Sequence, residues 1–544
     1  MDFSLLLIAL VWLIGTCFRI YRQARFYQIE EYTSGRYLRW YFARRERWLP
    51  RRPLVAWLGA GVFGFLLSEA PGDVLLTIIG VVSAIIAVWP PDEGEIKKGF
   101  RPTLRAKRLL GAAFCITIVV WFILQLLVPE IDLLRFVLAG FLGLVVFLAA
   151  PLFLIAGNVV MTPVEAFLRR RFIARAKAVL ETIQPTVIGI TGSYGKTSTK
   201  MYLAHILNGR YKTYPTPKSY NTLMGVSMAI NNDLADDHSI EYFICEMGAY
   251  IPGEIERITD LTEPTIGLVI DIGPQHLERF GTLENTAAAK YELIKALPPD
   301  GLGVFNWDNP YVRAMYERGY PQERIAVSRE VDPANVPEGG PRFVASDVSE
   351  GLDGLRFTVT DWQTGEHELF ETALLGQHNV TNLLLATAAA VHEGMPLKDV
   401  ARRVRTLQPA ESRLVRKVSP EGITIINDAY SANPAGVVSA LRVLALHQTG
   451  RRLLITPGMV ELGPLMEAEN RKLGEMAAGQ ATDVILVGAQ QTQAVKAGLL
   501  AAGFPAERLR VIETLAESIA WYKDNLRTGD TVLFLNDLPD TYSS

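Results

Sequence analysis

Cysteine is scarce in this chain of 544 residues. Only Cys17, Cys115 and Cys245 occur, and no two of them form a Cys-x-x-Cys pair. This pattern supports neither a disulfide framework nor a zinc ribbon, and a few scattered thiols are typical of a reducing compartment. The net charge is also small, at −3. The net charge says nothing about partners, because it is an average over two unlike parts. The first third is apolar with basic loops, and the remainder is mixed and mildly acidic.

Charged side chains are nearly absent from five apolar runs in the first third of the chain, at residues 3–18, 54–67, 74–89, 109–128 and 133–160. A membrane span needs about 20 residues, and tilt or flanking residues compensate for the shorter runs. A cleaved signal peptide is the alternative for the first run, but a basic start and a small-residue cleavage site are both missing. We therefore predict a transmembrane domain of about five helices over residues 1–162, the last of them kinked at Pro151.

Lysine and arginine are unevenly distributed among the loops of this region. Residues 19–53 and 91–108 are rich in them, whereas the short loops at 68–73 and 129–132 have none. Basic loops stay in the cytoplasm, so the N-terminus is predicted outside and the remaining chain inside. A nucleic acid is the alternative partner for the arginines of 19–53, but beside a membrane they favour anionic lipid headgroups. Residues 163–185 are predicted to form a basic linker helix.

The soluble part is organised around residues 186–200, TVIGITGSYGKTSTK, which contain a glycine-rich turn. A β-branched run precedes the turn and a helix-compatible segment follows it, which is the arrangement of a phosphate-binding loop. The predicted nucleotide contacts are Gly192, Ser193, Gly195, Lys196, Thr197 and Ser198, with Lys196 reaching the β- and γ-phosphates and Thr197 holding Mg²⁺. The spacing is unusual because Ile190 stands where the common pattern has glycine. A chance Gly-Lys-Thr in a surface turn is the alternative.

Strand and helix patterns alternate from Thr186 onward, which predicts an α/β fold with mostly parallel sheets. Strands are predicted at 186–190, 242–245, 265–270 and 303–305, with polar residues clustered at their carboxyl ends, where such sheets bind ligands. Short antiparallel strands are predicted within 341–372. The alternation restarts near 377 and is Rossmann-like, without a dinucleotide fingerprint. The predicted domains are therefore a central phosphate-loop domain at 186–376 and a C-terminal domain at 377–544.

A series of motifs in order along residues 186–535 resembles the Mur ligase family. The resemblance is greatest to the branch that adds D-alanyl-D-alanine to the UDP-muramoyl-tripeptide of peptidoglycan. Besides the glycine-rich turn, the motifs are Asn221-Thr-Leu-Met-Gly225, Glu246-Met-Gly-Ala249, Gln275-His276-Leu277, Ala289-Lys290-Tyr291, Asn306-Trp-Asp308, Gly376-Gln-His378-Asn379, Ser412-Arg413-Leu414, Asn427-Asp428-Ala-Tyr430-Ser-Ala-Asn433 and Glu461-Leu462-Gly463.

The resemblance implies a magnesium site made by Thr197, Glu246, His276 and Lys290. The carboxylate of Glu246 is a hard oxygen ligand of the kind that Mg²⁺ prefers, and a salt-bridged glutamate is its alternative. His276 matches the histidine of the second Mg²⁺ site, although a lone histidine is more often a structural hydrogen-bonder. Lys290 matches a lysine that the family carbamylates; an ordinary lysine on a helix surface is the alternative.

Further nucleotide and substrate contacts are implied by the same resemblance. Asn306 and Asp308 match the adenine and ribose contacts, and an Asn/Asp turn is the alternative. Asn379 matches a nucleotide contact and is alternatively a helix cap. Arg413 matches the arginine that reaches the γ-phosphate, with a surface arginine as its alternative. The remaining implied contacts are Asp428 for the nucleotide, and Asn221, Tyr430 and Asn433 for the substrates.

Two departures from the family concern the acceptor. Membrane helices occupy the place of the UDP-binding domain, and no lysine-rich substrate loop is visible near the end. The predicted function is a membrane-anchored ligase of peptidoglycan or related envelope synthesis that uses ATP and Mg²⁺. It joins a lipid-linked or UDP-linked carboxylate acceptor to an amino acid or dipeptide through an acyl phosphate. The alternatives are a folylpolyglutamate-type or polyglutamate-type ligase, a nucleotide-binding membrane regulator without catalysis, and an ATP-driven transporter.

Overall fold

The structure is a computed structural model that describes residues 3–66, 73–90, 99–126, 132–409, 413–429 and 432–536. The chain forms two compact units, Met1–Arg171 and Phe172–Ser544. The predicted substrate contact Tyr430 lies outside the described residues, as do most residues of the predicted loops at 68–73 and 129–132.

The described part of the first unit is helical. Its helices are α1 (Phe3–Ile29), α2 (Ser34–Phe42), α3 (Arg45–Trp48), α4 (Arg51–Leu66), α5 (Asp73–Val88), α6 (Leu104–Leu126), α7 (Asp132–Leu148) and the first part of α8 (Ala150–Ile183). Among the described residues, three helices are long and apolar enough to cross a membrane: Leu5–Ile29, Leu104–Leu126 and Ala150–Ile183. Shorter apolar helices cover Val74–Val88 and Val137–Leu148.

The last apolar run differs from its prediction. One kinked helix is predicted over 133–160, but the structure has two helices, α7 and α8, separated by Ala149. Pro151 explains the break, because it has no N–H group to bond the carbonyl of Phe147. The predicted basic linker is not a separate helix either, since α8 continues through it to Ile183 with Pro163 inside.

The second unit contains a nine-stranded sheet, counted over the described residues, in the order β2-β3-β1-β4-β5-β6-β7-β8-β9. The strands are β1 (Thr186–Thr191), β2 (Thr213–Pro215), β3 (Tyr242–Glu246), β4 (Ile266–Val269), β5 (Leu302–Asn306), β6 (Glu323–Ser328), β7 (Phe343–Gly351), β8 (Gly354–Asp361) and β9 (His367–Thr372). Pairing is parallel from β2 through β7 and antiparallel across β7, β8 and β9. The predicted parallel strands and the predicted antiparallel strands are confirmed.

Helices cover both faces of this sheet because its central strands are apolar on both sides. The helices are the end of α8, α9 (Lys196–Leu207), α10 (Leu223–Ala229), α11 (Glu254–Thr262), α12 (Leu277–Phe280), α13 (Leu283–Lys295), α14 (Pro310–Tyr316), α15 (His378–His392) and α16 (Leu397–Val404). Ile188 and Ile190 of β1 pack in the core with α9, α15 and α16. Val187, on the opposite face, packs with the end of α8 and with α10, α11 and α13.

Helices α15 and α16 lie on the other side of the predicted domain boundary. The alternation that restarts near 377 assigns them to the C-terminal domain. Their buried residues, among them Val380, Leu384 and Val400, instead join the core of the first sheet. Strand–helix alternation does not reveal which sheet a helix covers, and this is why the predicted boundary precedes them.

A six-stranded sheet, again counted over the described residues, follows in the order β10-β11-β15-β12-β13-β14. Its strands are β10 (Val415–Val418), β11 (Thr424–Asp428), β12 (Arg452–Thr456), β13 (Asp483–Val487), β14 (Leu509–Ile512) and β15 (Thr531–Leu535), and its helices are α17 (Pro434–Ala445), α18 (Met466–Gln480), α19 (Gln493–Ala501) and α20 (Leu515–Asn525). All pairs are parallel except β10–β11. We call this sheet and its helices the C-terminal domain, and the first sheet with its helices the central domain.

Candidate active site

The glycine-rich turn joins β1 to α9, as predicted, and wraps around the ammonium group of Lys196. Lys196 Nζ donates hydrogen bonds to the carbonyls of Gly192 (2.6 Å) and Ser193 (3.2 Å). Gly195 is the N-cap residue of α9 and has φ of +78°, and a Cβ atom there would lie 2.5 Å from Asn382 Oδ1. Glycine is therefore required at 195 for its backbone conformation and for the close approach. Burial lowers the pKa of Lys196 to about 8, and the charge of Glu246 opposes that shift.

The carboxylate of Glu246 lies beside this loop, at the end of β3 and almost fully buried. Its Oε2 accepts hydrogen bonds from Thr197 Oγ1 and Lys200 Nζ, both at 3.0 Å, and its Oε1 accepts one from Asn221 Nδ2 at 3.2 Å. Burial alone would raise the pKa of Glu246, but the charges of Lys200 and Lys196 and these hydrogen bonds hold it below its ordinary value. The predicted residues Thr197, Asn221 and Glu246 thus meet at one point, around an ionised carboxylate.

His276 and Lys290 lie on other elements near Lys196. His276 Nδ1 is 2.5 Å from Glu461 Oε2, and the buried Lys290 Nζ donates to the carbonyl of Ala249 at 3.4 Å. Burial lowers the pKa of His276 and places that of Lys290 well below its ordinary value, and the charge of Lys196 adds to both shifts. Within the described residues, no hydrogen bond joins either side chain to Glu246, and no cluster of three or more His, Cys, Asp or Glu side chains forms a complete metal site.

A cavity of about 230 Å³ extends from the glycine-rich turn between the central and C-terminal domains. Eight of the predicted nucleotide and substrate contacts line it: Gly195, Ser198, Asn306, Asp308, Asn379, Arg413, Asp428 and Asn433. The structure therefore brings residues of both domains to one cavity, at the carboxyl ends of β1, β5 and β11.

The central-domain side of this cavity is prearranged by hydrogen bonds among the predicted residues. Asn306 Oδ1 accepts from the Asp308 backbone N–H at 3.1 Å, which is the alternative Asn/Asp turn. Asp308 Oδ2 accepts from the backbone N–H of Arg329 at 2.9 Å. The amide group of Asn379 makes three hydrogen bonds: its Oδ1 accepts from Tyr202 Oη at 3.1 Å and from Asn382 Nδ2 at 3.0 Å, and its Nδ2 donates to the Leu375 carbonyl at 2.7 Å. Asn379 therefore anchors the start of α15 at the cavity wall.

The C-terminal domain contributes a cation, a carboxylate and an amide. Arg413 Nη2 donates to Thr197 Oγ1 at 3.3 Å, which joins this domain to the phosphate loop. Asp428 Oδ1 accepts from the backbone N–H of Leu414 at 3.1 Å, and burial raises its pKa to about 6. Asn433 caps α17 by accepting from the backbone N–H of Gly436 at 2.9 Å.

Several site residues were not predicted. Asp271 lies two residues beyond the end of β4, lines the cavity and accepts with its carbonyl from the Ser193 N–H at 2.7 Å; burial raises its pKa to about 6. His378 also lines the cavity, and burial lowers its pKa to about 4. The position of Asp271 near a strand end was a usable signal, and Glu461 stands in one of the motifs of the family resemblance. The contacts of Glu461 with His276 and of Lys200 with Glu246 are seen only in the folded chain.

Comparison with known proteins agrees with this geometry. The Mur ligase middle domain matches residues 190–390, and the Mur ligase glutamate ligase domain matches residues 412–536. The UDP-N-acetylmuramoyl-tripeptide–D-alanyl-D-alanine ligase of Bacillus subtilis is 28% identical over 360 residues, which are 66% of this chain and 74% of the relative. The enzyme of the same name from Mycobacterium tuberculosis is 32% identical over 370 residues, 64% of this chain and 69% of the relative.

Solved structures share the fold. MurF from Acinetobacter baumannii has a TM-score of 0.58 at 25% identity and covers 68% of this chain and 77% of its own. The MurF ligase of Thermotoga maritima in complex with ADP has a TM-score of 0.57 at 22% identity and covers 68% of this chain and 80% of its own. The chain therefore belongs to the Mur ligase family, in the branch that contains the MurF ligases, and is an ATP-dependent ligase that forms amide bonds.

Proposed function

We propose that this protein is a membrane-anchored ligase that adds an amino acid or dipeptide to a carboxylate of a peptidoglycan or related envelope precursor. D-alanyl-D-alanine is the favoured donor. The observation that carries the proposal is the 3.3 Å contact between Arg413 of the C-terminal domain and Thr197 of the phosphate loop. It supports a site in which a guanidinium from one domain and the ammonium of Lys196 from the other hold one phosphate group. Such cations stabilise the charge that develops when a carboxylate accepts a phosphoryl group.

Several of the predicted residues have a part in this chemistry. Lys196 exchanges the carbonyls of Gly192 and Ser193 for phosphate oxygens when ATP binds. The carboxylate takes the γ-phosphoryl group of ATP and ADP is released. The amine then attacks the carbonyl carbon of the acyl phosphate, loses a proton and expels inorganic phosphate, and positioning the two reactants is most of what the protein contributes. Thr197, Glu246, His276 and a carbamylated Lys290 fit Mg²⁺, because they offer one hydroxyl, two carboxylate-type groups and one imidazole beside the glycine-rich turn; the ion supplies charge neutralisation. Asp428, Asn433 and Tyr430 are assigned to the nucleotide and the amine.

The burial of Lys290 supports its carbamylation. Only a neutral amine attacks CO₂, and burial, which lowers the pKa of Lys290 well below its ordinary value, increases the neutral fraction of this amine. Labelling with ¹³C-bicarbonate tests it: wild-type protein should give a carbamate carbonyl signal in ¹³C NMR that Lys290→Arg lacks. A wild-type spectrum without that signal in the presence of ADP and Mg²⁺ would contradict the modification.

The first unit supports membrane anchoring and an acceptor held at the membrane. Large apolar side chains on α6 are exposed, among them Phe122 (59%) and Leu126 (71%), as expected of a surface that meets lipid. The matched family domains begin only at residue 190. The exposed Cys115 of α6 offers a test: in native vesicles a membrane-impermeant maleimide should not label it until SDS is added. Rapid labelling in intact vesicles would contradict a lipid-facing α6.

The activity itself is tested by phosphate release and product analysis with the detergent-purified full chain. Candidate UDP-linked and lipid-linked acceptors are combined with amino acids, glutamate and D-alanyl-D-alanine. We expect amide formation with the dipeptide, preference for the lipid-linked acceptor, and loss of both phosphate release and amide formation in Lys196→Ala. A γ-glutamyl product would favour the polyglutamate-type alternative. Nucleotide binding without turnover of any pair would favour the regulator.

A further inference from the structure

The loop after β12 brings Glu461 of the C-terminal domain to His276 of the central domain. Glu461 Oε2 and His276 Nδ1 are 2.5 Å apart, although 185 positions separate the two residues in the chain. Both side chains are largely but not fully buried, at 26% and 22% exposure. This is a second contact between the domains, in addition to that of Arg413 with Thr197.

Both residues are held in place by their surroundings. His276 and Glu461 have φ of +56° and +61°, which a side chain other than glycine adopts only where the structure requires it. The loop backbones nearly touch, because a Cβ atom on Gly463 would lie 3.3 Å from the backbone nitrogen of Glu278. The ring of Tyr250 packs edge-on against the imidazole ring of His276, and the centroids of the two rings are 4.5 Å apart. The imidazole orientation is therefore set by an aromatic ring and a carboxylate.

We propose that Glu461 is a positioning residue that orients His276 as a metal ligand and so completes the metal site only when the two domains are closed. In this arrangement Nδ1–H donates to the Glu461 carboxylate, and Nε2 keeps the lone pair that binds the ion. Among the described residues, Nε2 of His276 has no hydrogen-bond partner. Metal-binding histidines commonly donate their other N–H to a carboxylate, which fixes the tautomer and raises the basicity of the ligand nitrogen. This inference rests on the proposed metal-binding role of His276.

A structural ion pair would behave differently. A partly exposed pair of this kind contributes about 0–1 kcal/mol to stability, and its loss has no reason to change metal affinity. Loss of an outer carboxylate behind a metal-binding histidine typically weakens metal affinity by about 10- to 100-fold. Metal affinity measured without turnover therefore separates the two roles.

The experiment titrates Mn²⁺ into the full-length protein with saturating ADP and follows free Mn²⁺ by electron paramagnetic resonance. We expect Glu461→Ala to weaken one class of Mn²⁺ sites by about 10- to 100-fold. Glu461→Gln should weaken it less, because the amide oxygen still accepts from Nδ1–H. His276→Ala should lose the same class, and the double variant Glu461→Ala/His276→Ala should lose no more than His276→Ala. The matched control is Glu467→Gln, an exposed glutamate of the same domain, which should bind as the wild type does.

A Mn²⁺ curve of Glu461→Ala that equals the wild-type curve, while His276→Ala is weakened, would overturn the proposal. Losses that multiply in the double variant would overturn it as well. If Glu461→Ala does not fold, Glu461→Gln decides in its place, and a wild-type curve for that variant counts against the proposal. The titration needs neither acceptor nor amine, so a failure of wild-type amide formation would refute the proposed function separately.

Discussion

Replacing Lys200 with methionine tests the electrostatics beneath the phosphate loop. Lys200 Nζ lies 3.0 Å from Glu246 Oε2 and also donates to the carbonyl of Lys218 at 2.6 Å. The two charged side chains are 0% and 2% exposed. Methionine keeps most of the volume of lysine but removes its charge and both hydrogen bonds, and so leaves a buried carboxylate with fewer partners.

The expected loss follows from burial. Removing one partner of a buried ion pair costs about 3–5 kcal/mol, and the surviving hydrogen bonds from Thr197 and Asn221 put this case near 3 kcal/mol. For a domain of this size that corresponds to a fall in Tm of roughly 6–12 °C. Lys200→Met/Glu246→Gln should recover most of this loss, because replacing both partners removes the unpaired charge.

The loss should also depend on pH. In the wild type the pKa of Glu246 is below its ordinary 4.5, so its stabilising contribution is present above about pH 4.5 and disappears as pH falls through the lower folded value. Without Lys200, burial raises this pKa and the carboxyl is stabilised by protonation. The difference between wild type and Lys200→Met should therefore be largest at pH 7 and shrink toward pH 4.

Differential scanning fluorimetry of the four proteins (wild type, each single variant and the double variant) between pH 4 and 8 is the assay. A fall in Tm below about 2 °C for Lys200→Met at pH 7 would refute the reasoning, because it would mean that the pair is accessible to solvent. A double variant no more stable than Lys200→Met would refute it too.

Three further predictions concern the nucleotide cavity. Gly195→Ala should weaken ADP binding about tenfold or more by calorimetry, because φ of +78° and the 2.5 Å approach of Asn382 Oδ1 oppose any side chain; unchanged binding would contradict this geometry. Arg413→Lys should lower kcat by about 10²-fold with little change in the KM for ATP, because an ammonium does not reproduce the guanidinium fork. A rise in the KM for ATP with kcat unchanged would contradict this prediction. Burial raises the pKa of Asp271 from 3.8 to about 6, so its contribution to stability should fall as pH rises from 4 to 6, and the free energy of unfolding of Asp271→Asn relative to the wild type should rise over the same range.

The location of the candidate site was largely predictable because parallel sheets bind ligands at one edge. Lys196, Glu246 and Asn306 each stand at or just beyond the carboxyl end of a strand, and neighbouring strands bring them together. The glycine-rich turn was predictable for a different reason, because a turn, a lysine and a helix that follow one another are local features of the sequence. The motifs of the C-terminal domain were recognisable by resemblance, and Arg413 and Asp428 do line the cavity.

Features that depend on distant partners were not predictable. The role of Lys200 rests on its contact with Glu246, 46 positions away, and that of Glu461 on His276, which is 185 positions away. The assignment of α15 to the wrong domain has a related cause. Its residues from 379 to 390 are all buried and mostly small or apolar, and periodicity does not tell which sheet covers such a helix.

The sheet order of the C-terminal domain has a consequence for biosynthesis. Strand β15 is the last strand in the described chain, yet it lies between β11 and β12 and pairs with both. Until Thr531–Leu535 have left the ribosome, β11 and β12 lack the strand that pairs with both of them. The nascent chain therefore contains two parts of the sheet whose facing edges are unpaired. A chaperone that shields such edges would act in this interval, and premature termination upstream of β15 would yield a product for proteolysis and not a partly active enzyme.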